Sequence, residues 1–292
     1  MLRHPWGRVG PYVLLLPAVL FTVLTIIVPL WTMLRMSFYG RTSLRVFDPG
    51  TLTLANYGAF FGSRYLLEIA GQTVGYALLV TLLSLVLGYP VAYFLARTRS
   101  RWRPLLLAVV VMPYMVSLVV SAYGWLLLLG LQGPVNWFLL QLTLVAEPVR
   151  IANTPLGGLI AMTVNFIPYQ VLPLVAVLTA VDRELEEASA SLGADPIQTF
   201  RRVVLPLSLP GVLAGSALVL ILGLTAFVAP RMVGGPRMAM LGVEIYENMI
   251  THLHWPRAAA IGCVLTVMTA SLYLGLSGLF GARREAEERR AG

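Results

Sequence analysis

The chain has 292 residues, 58% of them hydrophobic and only 12% charged. A water-facing domain of this length needs far more charged surface, so a soluble globular protein is excluded and lipid is the expected solvent. The net charge of +8 rests on 21 basic residues, every one of them Arg. Without Lys there is no phosphate-loop lysine and no Schiff-base amine, which rules out a standard ATPase subunit and that branch of covalent catalysis. The Arg residues fall in short clusters between apolar runs rather than along one face, so nucleic acid is not an expected partner. Cys263 sits alone in an apolar stretch, where it reads as a small packing residue.

Uncharged stretches run 9–34, 69–96, 104–146, 151–181, 203–230 and 258–282. A membrane-spanning helix needs about 20 apolar residues, so five of these hold one span each. The first follows Arg3 and Arg8 but is too long for a signal-peptide core and is read as a retained anchor, giving an N-terminal stub and anchor over 1–34. An external loop is expected over 35–68. The stretch 104–146 could hold two spans; Gly130, Gln132, Gly133, Pro134 and Asn136 interrupt it, so one span is expected at 105–129. The remainder, 135–146, is expected to lie at the membrane surface. The result is an all-α polytopic protein with six transmembrane helices and a permease core over 69–282. A charged tail follows over 283–292.

Arg distribution orients the spans. With both termini cytoplasmic, the inner side carries Arg3, Arg8, Arg97, Arg99, Arg101, Arg103, Arg183, Arg201, Arg202, Arg283, Arg284, Arg289 and Arg290, against Arg35, Arg41, Arg45, Arg64, Arg150, Arg231, Arg237 and Arg257 outside. The excess favours this orientation in a bacterial inner membrane.

In span four, Asn165, Pro168, Tyr169, Gln170 and Pro173 interrupt an apolar run. Prolines free carbonyls that lipid cannot satisfy, so these groups face other helices or a watery cavity. Packing between helices and lining of a solute pathway are both open for Asn165, Tyr169 and Gln170. For Tyr123 and Trp125 in span three, an interfacial aromatic belt and stacking on a cationic solute are likewise both open. None of the six stretches carries an acid away from its edges. Small-x-x-x-small pairs at Gly71/Gly75 and Gly211/Gly215 allow close helix approach. His252 and His254, two residues apart with Glu244 and Glu247 nearby, do not share a helix face and are read as part of a solvated outer loop rather than a metal site.

The loop 182–210, DRELEEASASLGADPIQTFRRVVLPLSLP, is not a plain connector. Arg183 to Leu192 has helix formers with acids in its first turns. Gly193 suits a left-handed helix end, and Asp195-Pro196 suits cap and first position of a second helix. Pro206 and Pro210 are expected to stop that second helix. Two short helices then form a cytoplasmic knob.

Glu187-Ala188-Ser189, three residues to Gly193, nine to Val203, then Leu205-Pro206, closely resembles the EAA signature of ABC importer permeases, with Ser189 and Val203 as the departures. Leu87-Gly88-Tyr89-Pro90 with Ala92-Tyr93-Phe94-Leu95-Ala96-Arg97, Ala122-Tyr123-Gly124-Trp125 followed by Leu129-Gly130, Phe227-Val228-Ala229-Pro230 with Gly234-Gly235-Pro236, and Trp255-Pro256 extend the resemblance to the spermidine/putrescine-type branch of the MetI-like superfamily. That resemblance implies a type I ABC importer permease subunit forming half of a translocation pathway. It implies a coupling helix contacting an ATP-binding subunit through Glu186, Glu187, Ala188, Ser189, Gly193, Ala194, Phe200, Leu205 and Pro206. It implies as partners two ATP-binding subunits that carry the ATP and Mg, a second permease and an external solute-binding protein. No cofactor is expected on this chain. A polyamine is the favoured cargo; ferric ion, thiamine or another organic ion are alternatives within the class. An ATP-independent channel is the rival outside it, and no membrane hydrolase motif is present.

Overall fold

The computed structural model describes residues 10–42 and 45–291, with side-chain detail left out at 10–14, over most of 41–49 and over nearly all positions beyond 275. The described chain contains twelve α-helices, one short β-hairpin and three π turns (Phe200–Val204, Pro230–Gly234 and Glu247–Thr251): α1 (Gly10–Ser37), β1 (Tyr39–Thr42), β2 (Arg45–Leu52), α2 (Ala55–Phe61), α3 (Arg64–Arg97), α4 (Arg103–Met115), α5 (Leu118–Leu129), α6 (Pro134–Gln141), α7 (Pro155–Ala180), α8 (Arg183–Ser191), α9 (Pro196–Thr199), α10 (Leu205–Leu224), α11 (Leu241–Tyr246) and α12 (Trp255–Ala291). Six helical stretches are long and apolar enough to cross a membrane: Leu15–Ser37, Arg64–Arg97, Leu118–Gln141, Pro155–Ala180, Pro196–Leu224 and Trp255–Gly275. The fold is that of a polytopic helical membrane protein.

The chain forms two compact units. One contains α1, the hairpin, α2 and residues 245–264. Its hairpin pairs antiparallel, and Asn56 ties it down by donating to the Ser37 and Tyr39 carbonyls at 2.9 and 3.0 Å. No residue in the most apolar stretch of α1 is buried, although Ser37 at its end is. An apolar helix with so exposed a surface suits contact with lipid or another subunit.

The other unit comprises residues 64–244 and those from 265 onward. Its centre is a bundle of α3, α7 and α10. Tyr89, Ala92, Leu95, Val171, Leu174, Leu178 and Val204 pack near one end, and Val80, Met162, Phe166, Val219, Met238 and Met240 pack toward the other. Gly211 and Gly215 let α10 approach α7 closely: a methyl at Gly211 would stand 3.1 Å from the Pro173 carbonyl and from Val177. Gly71 and Gly75 face nothing within 4 Å. The loops at 97–103 and 181–204 meet at one end of this unit, where Arg97 donates to the Val181 carbonyl at 2.8 Å. At the opposite end, Ala152 donates its N–H to Leu129 at 3.3 Å.

Two expectations need correction. The span expected at 105–129 is not one helix, because Val116 and Ser117 are extended between α4 and α5. Helix α4 is a shorter apolar helix, and the stretch long enough to cross is Leu118–Gln141, which takes in part of the segment expected at the membrane surface. Pro113 removes a donor just before the break, which weakens the ladder there. Nor do Pro206 and Pro210 stop the helix after Asp195, since Pro196–Leu224 is continuously helical. Residues Phe200–Val204 widen into a π turn, with the Leu205 N–H reaching back five residues to the Phe200 carbonyl. The wider turn makes room for the Pro206 ring, which in a regular helix would clash with the carbonyl four residues earlier. The short helix therefore runs directly into the fifth span.

Candidate functional site

Two features stand out: the hairpin of α8 and α9, and a cavity beside α7.

The hairpin follows from its sequence turn by turn. Glu184 and Glu186 occupy the first turn of α8, where acids favour the positive end of a helix. Its end is a Schellman turn. Gly193 has φ +84, its N–H reaches the Ala190 carbonyl at 3.0 Å, and the Ala194 N–H reaches Ser189 at 3.1 Å. Asp195 then caps α9, accepting from the Gln198 N–H at 2.7 Å. The hydroxyls of Ser189 and Thr199 lie 3.0 Å apart and join the two arms. The bend is thus fixed by backbone geometry and local bonds, without a core of its own: α8 buries no residue.

What the hairpin leaves outside is apolar. Leu192 is 89% exposed and Ile197 67%, and Leu185 is also uncovered. Glu187 and Ala188 are exposed. Glu186 turns the other way, pairing with Arg97 of α3 and accepting from the Tyr93 hydroxyl at 2.9 Å. Phe200 packs edge-on against Tyr89, with ring centroids 5.4 Å apart, and the Tyr89 hydroxyl meets that of Ser208 at 2.8 Å. Leu205 and Pro206 begin α10 behind the hairpin. The expected coupling residues therefore divide into an outward group (Glu187, Ala188, Gly193) and an inward group (Glu186, Ser189, Phe200) that seats the hairpin.

A cavity of about 200 Å³ lies where α4 breaks and α10 ends, and it is lined by Tyr114, Asn165, Phe166, Tyr169, Thr225 and Phe227 among others. Asn165 is oriented by the Ser121 hydroxyl, which donates to its Oδ1 at 2.9 Å. The Tyr114 and Tyr169 rings stand 4.6 Å apart, and Phe166 meets Tyr169 edge-on. No charged side chain is among the lining residues. The C-termini of α4 and α10 end at its wall, and the N-termini of α5 and of the helical turn from 228 begin there, so the helix-end partial charges oppose one another.

Of the candidate pathway residues, the structure brings only Asn165 and Tyr169 to this wall. Gln170 is fully buried in the seam between α7 and α10, with its Nε2 3.4 Å from the Val212 carbonyl and its Oε1 3.3 Å from the Ser216 hydroxyl. Tyr123 is 59% exposed, and Trp125 packs against the cluster of Ala122, Leu129, Ile151, Ala161 and Val233. In the sequence, Tyr114 and Phe166 read as ordinary apolar-span aromatics, and Phe227 stands out only as part of a motif.

Six spans with such a hairpin between the fourth and fifth make up a polytopic helical membrane protein, and its relatives give its class. The chain belongs to the family of binding-protein-dependent transport system inner membrane components, whose profile matches residues 84–280. It is 33% identical over 252 residues to the spermidine/putrescine transport system permease protein PotB of Escherichia coli (strain K12), covering 86% of this chain and 91% of that one. It is 30% identical over 257 residues to PotB of Haemophilus influenzae, covering 87% and 89%. The inner membrane ABC transporter permease protein YdcU of Escherichia coli is 33% identical over 288 residues, covering 94% and 90%. Among solved structures, a chain of a bacterial ABC transporter importing alginate superposes with TM-score 0.72 at 17% identity, covering 96% of this chain and 98% of that one. The chain is thus a multi-pass inner-membrane permease subunit of an ABC importer with the MetI-like fold.

Proposed function

We propose that the hairpin 182–204 is the coupling element of this permease and docks on an ATP-binding subunit. The observation that carries this reading is the apolar tip, Leu185, Leu192 and Ile197, left exposed on a hairpin whose bend is fixed by a left-handed glycine and a capped turn. An apolar surface outside the bilayer needs a partner. A rigid knob can pass the closure of paired ATPases to the spans, which then alternate between inward- and outward-open states. In this reading the hairpin and both termini are cytoplasmic. This chain supplies half of the pathway beside a second permease, and solute arrives from an external binding protein. ATP and Mg belong to the partner subunits.

The favoured cargo is a polyamine. The support is the naming of the PotB relatives together with a cavity that offers aromatic faces and no Arg, an environment suited to a cation. The cation meets no carboxylate in this cavity, so discrimination among cations falls mainly to the binding protein. Uptake of labelled spermidine by the reconstituted complex, with and without ATP, tests the proposal; ATP-independent uptake would favour a channel instead.

A further inference from the structure

We propose that Arg97 is a positioning residue for the coupling hairpin, tying it to α3 through Glu186 so that displacement of the hairpin moves the central bundle. This rests on the docking reading above. The connection between α7 and α8 is slender, since Val181 and Asp182 are both extended and Asp182 makes no side-chain cap. Because α8 buries no residue, apolar packing does not hold it against the bundle. Beyond its bend onto α9, a polar tie joins it to α3. Arg97, at the last turn of α3, spans two elements: one guanidinium nitrogen pairs with the Glu186 carboxylate and another donates to the Val181 carbonyl at 2.8 Å. Tyr93, one turn earlier on α3, donates to the second Glu186 oxygen at 2.9 Å. The Arg97 and Glu186 side chains are only 13% and 20% exposed.

The partial burial decides what the pair is for. An exposed ion pair swings freely and transmits little. A mostly buried ion pair flanked by the Tyr93 hydrogen bond and the Val181 carbonyl anchor is held in one geometry, and removing one partner strands the other charge. The hairpin then has two routes into the membrane unit. The α9 arm continues through the π turn into α10, and the α8 arm is pinned to α3. Glu186 and Glu187, adjacent in sequence, serve opposite surfaces: Glu186 holds the bundle while Glu187 faces outward.

The test uses the assembled transporter with Ala226→Cys as a reporter in the cavity and Cys263→Ser to remove the native thiol. Labelling of the reporter by a thiol reagent is compared in nucleotide-free and vanadate-trapped states. Arg97→Met and Glu186→Gln should each cut the nucleotide-dependent change in labelling rate by about tenfold, the scale expected for a coupled pair, while the ATP-binding subunit still co-purifies. The exchange Arg97→Glu with Glu186→Arg should recover part of the change, and Tyr93→Phe should lose less. A change within twofold of the parent in Arg97→Met would overturn the proposal. So would loss of the ATP-binding subunit from Arg97→Met, because the pair would then serve docking rather than transmission. Leu192→Asp separates the two ideas: it should release the ATP-binding subunit, and its failure to do so would contradict the docking reading itself.

Discussion

Gly215 of α10 packs directly on Gln170 of α7: a methyl at Gly215 would stand 2.8 Å from the Gln170 side-chain nitrogen and 2.9 Å from its carbonyl. The seam between the fourth and fifth spans therefore depends on a missing side chain and on a buried amide that fills the groove it leaves. Gly215→Val overfills this seam, at a cost of about 1–3 kcal/mol. The variant should show lower membrane abundance and earlier thermal loss of its monodisperse peak in detergent. Gly71→Val, facing open space, should match the parent in both measurements.

The cavity makes a second distinction between residues that look alike in sequence. Tyr169→Ala removes an aromatic wall, and a desolvated cation–ring contact is worth about 0.5–2 kcal/mol. Spermidine uptake by the complex should fall several-fold, with subunit assembly intact. Tyr123→Leu, on an exposed face, should leave uptake unchanged.

Orientation is checked by labelling. With Cys263 replaced, cysteines at Arg99 and Arg183 should resist an impermeant thiol reagent in intact cells, and one at Arg237 should react. Labelling of Arg99→Cys from outside would reverse the topology.

Much of this architecture is visible in the residues because its signals are local. Charge gaps mark the spans, and Gly193 and Asp195-Pro196 encode a Schellman turn and a cap that need only their neighbours to form. Where the sequence misleads, the deciding interaction is longer in range or unusual in register. Pro206 looks like a helix stop unless a π turn is known to precede it. The Gly71/Gly75 and Gly211/Gly215 pairs are equivalent as patterns, and only packing shows that the second pair meets another helix in this chain. Glu186 and Glu187 are likewise one acidic dipeptide until Arg97, distant in sequence, claims the first. Tyr114 becomes a cavity residue only because the chain breaks at Val116 and Ser117, which neither residue type announces.

The most direct measurement of the central claim is uptake by a complex carrying Gly193→Val, compared with Gly193→Asn at equal membrane abundance. The left-handed backbone of Gly193, at φ +84, costs valine about 1–3 kcal/mol, whereas asparagine tolerates it. A side-chain carbon added at Gly193 would meet no non-neighbouring atom of the described residues within 4 Å, so it points into open space until a partner docks. Strain in the hairpin leaves the spans and their insertion untouched. The account predicts that Gly193→Val inserts normally but loses uptake and co-purification of the ATP-binding subunit, with Gly193→Asn closer to the parent. Full uptake by Gly193→Val at parental abundance would contradict it, leaving the hairpin as no more than a connector.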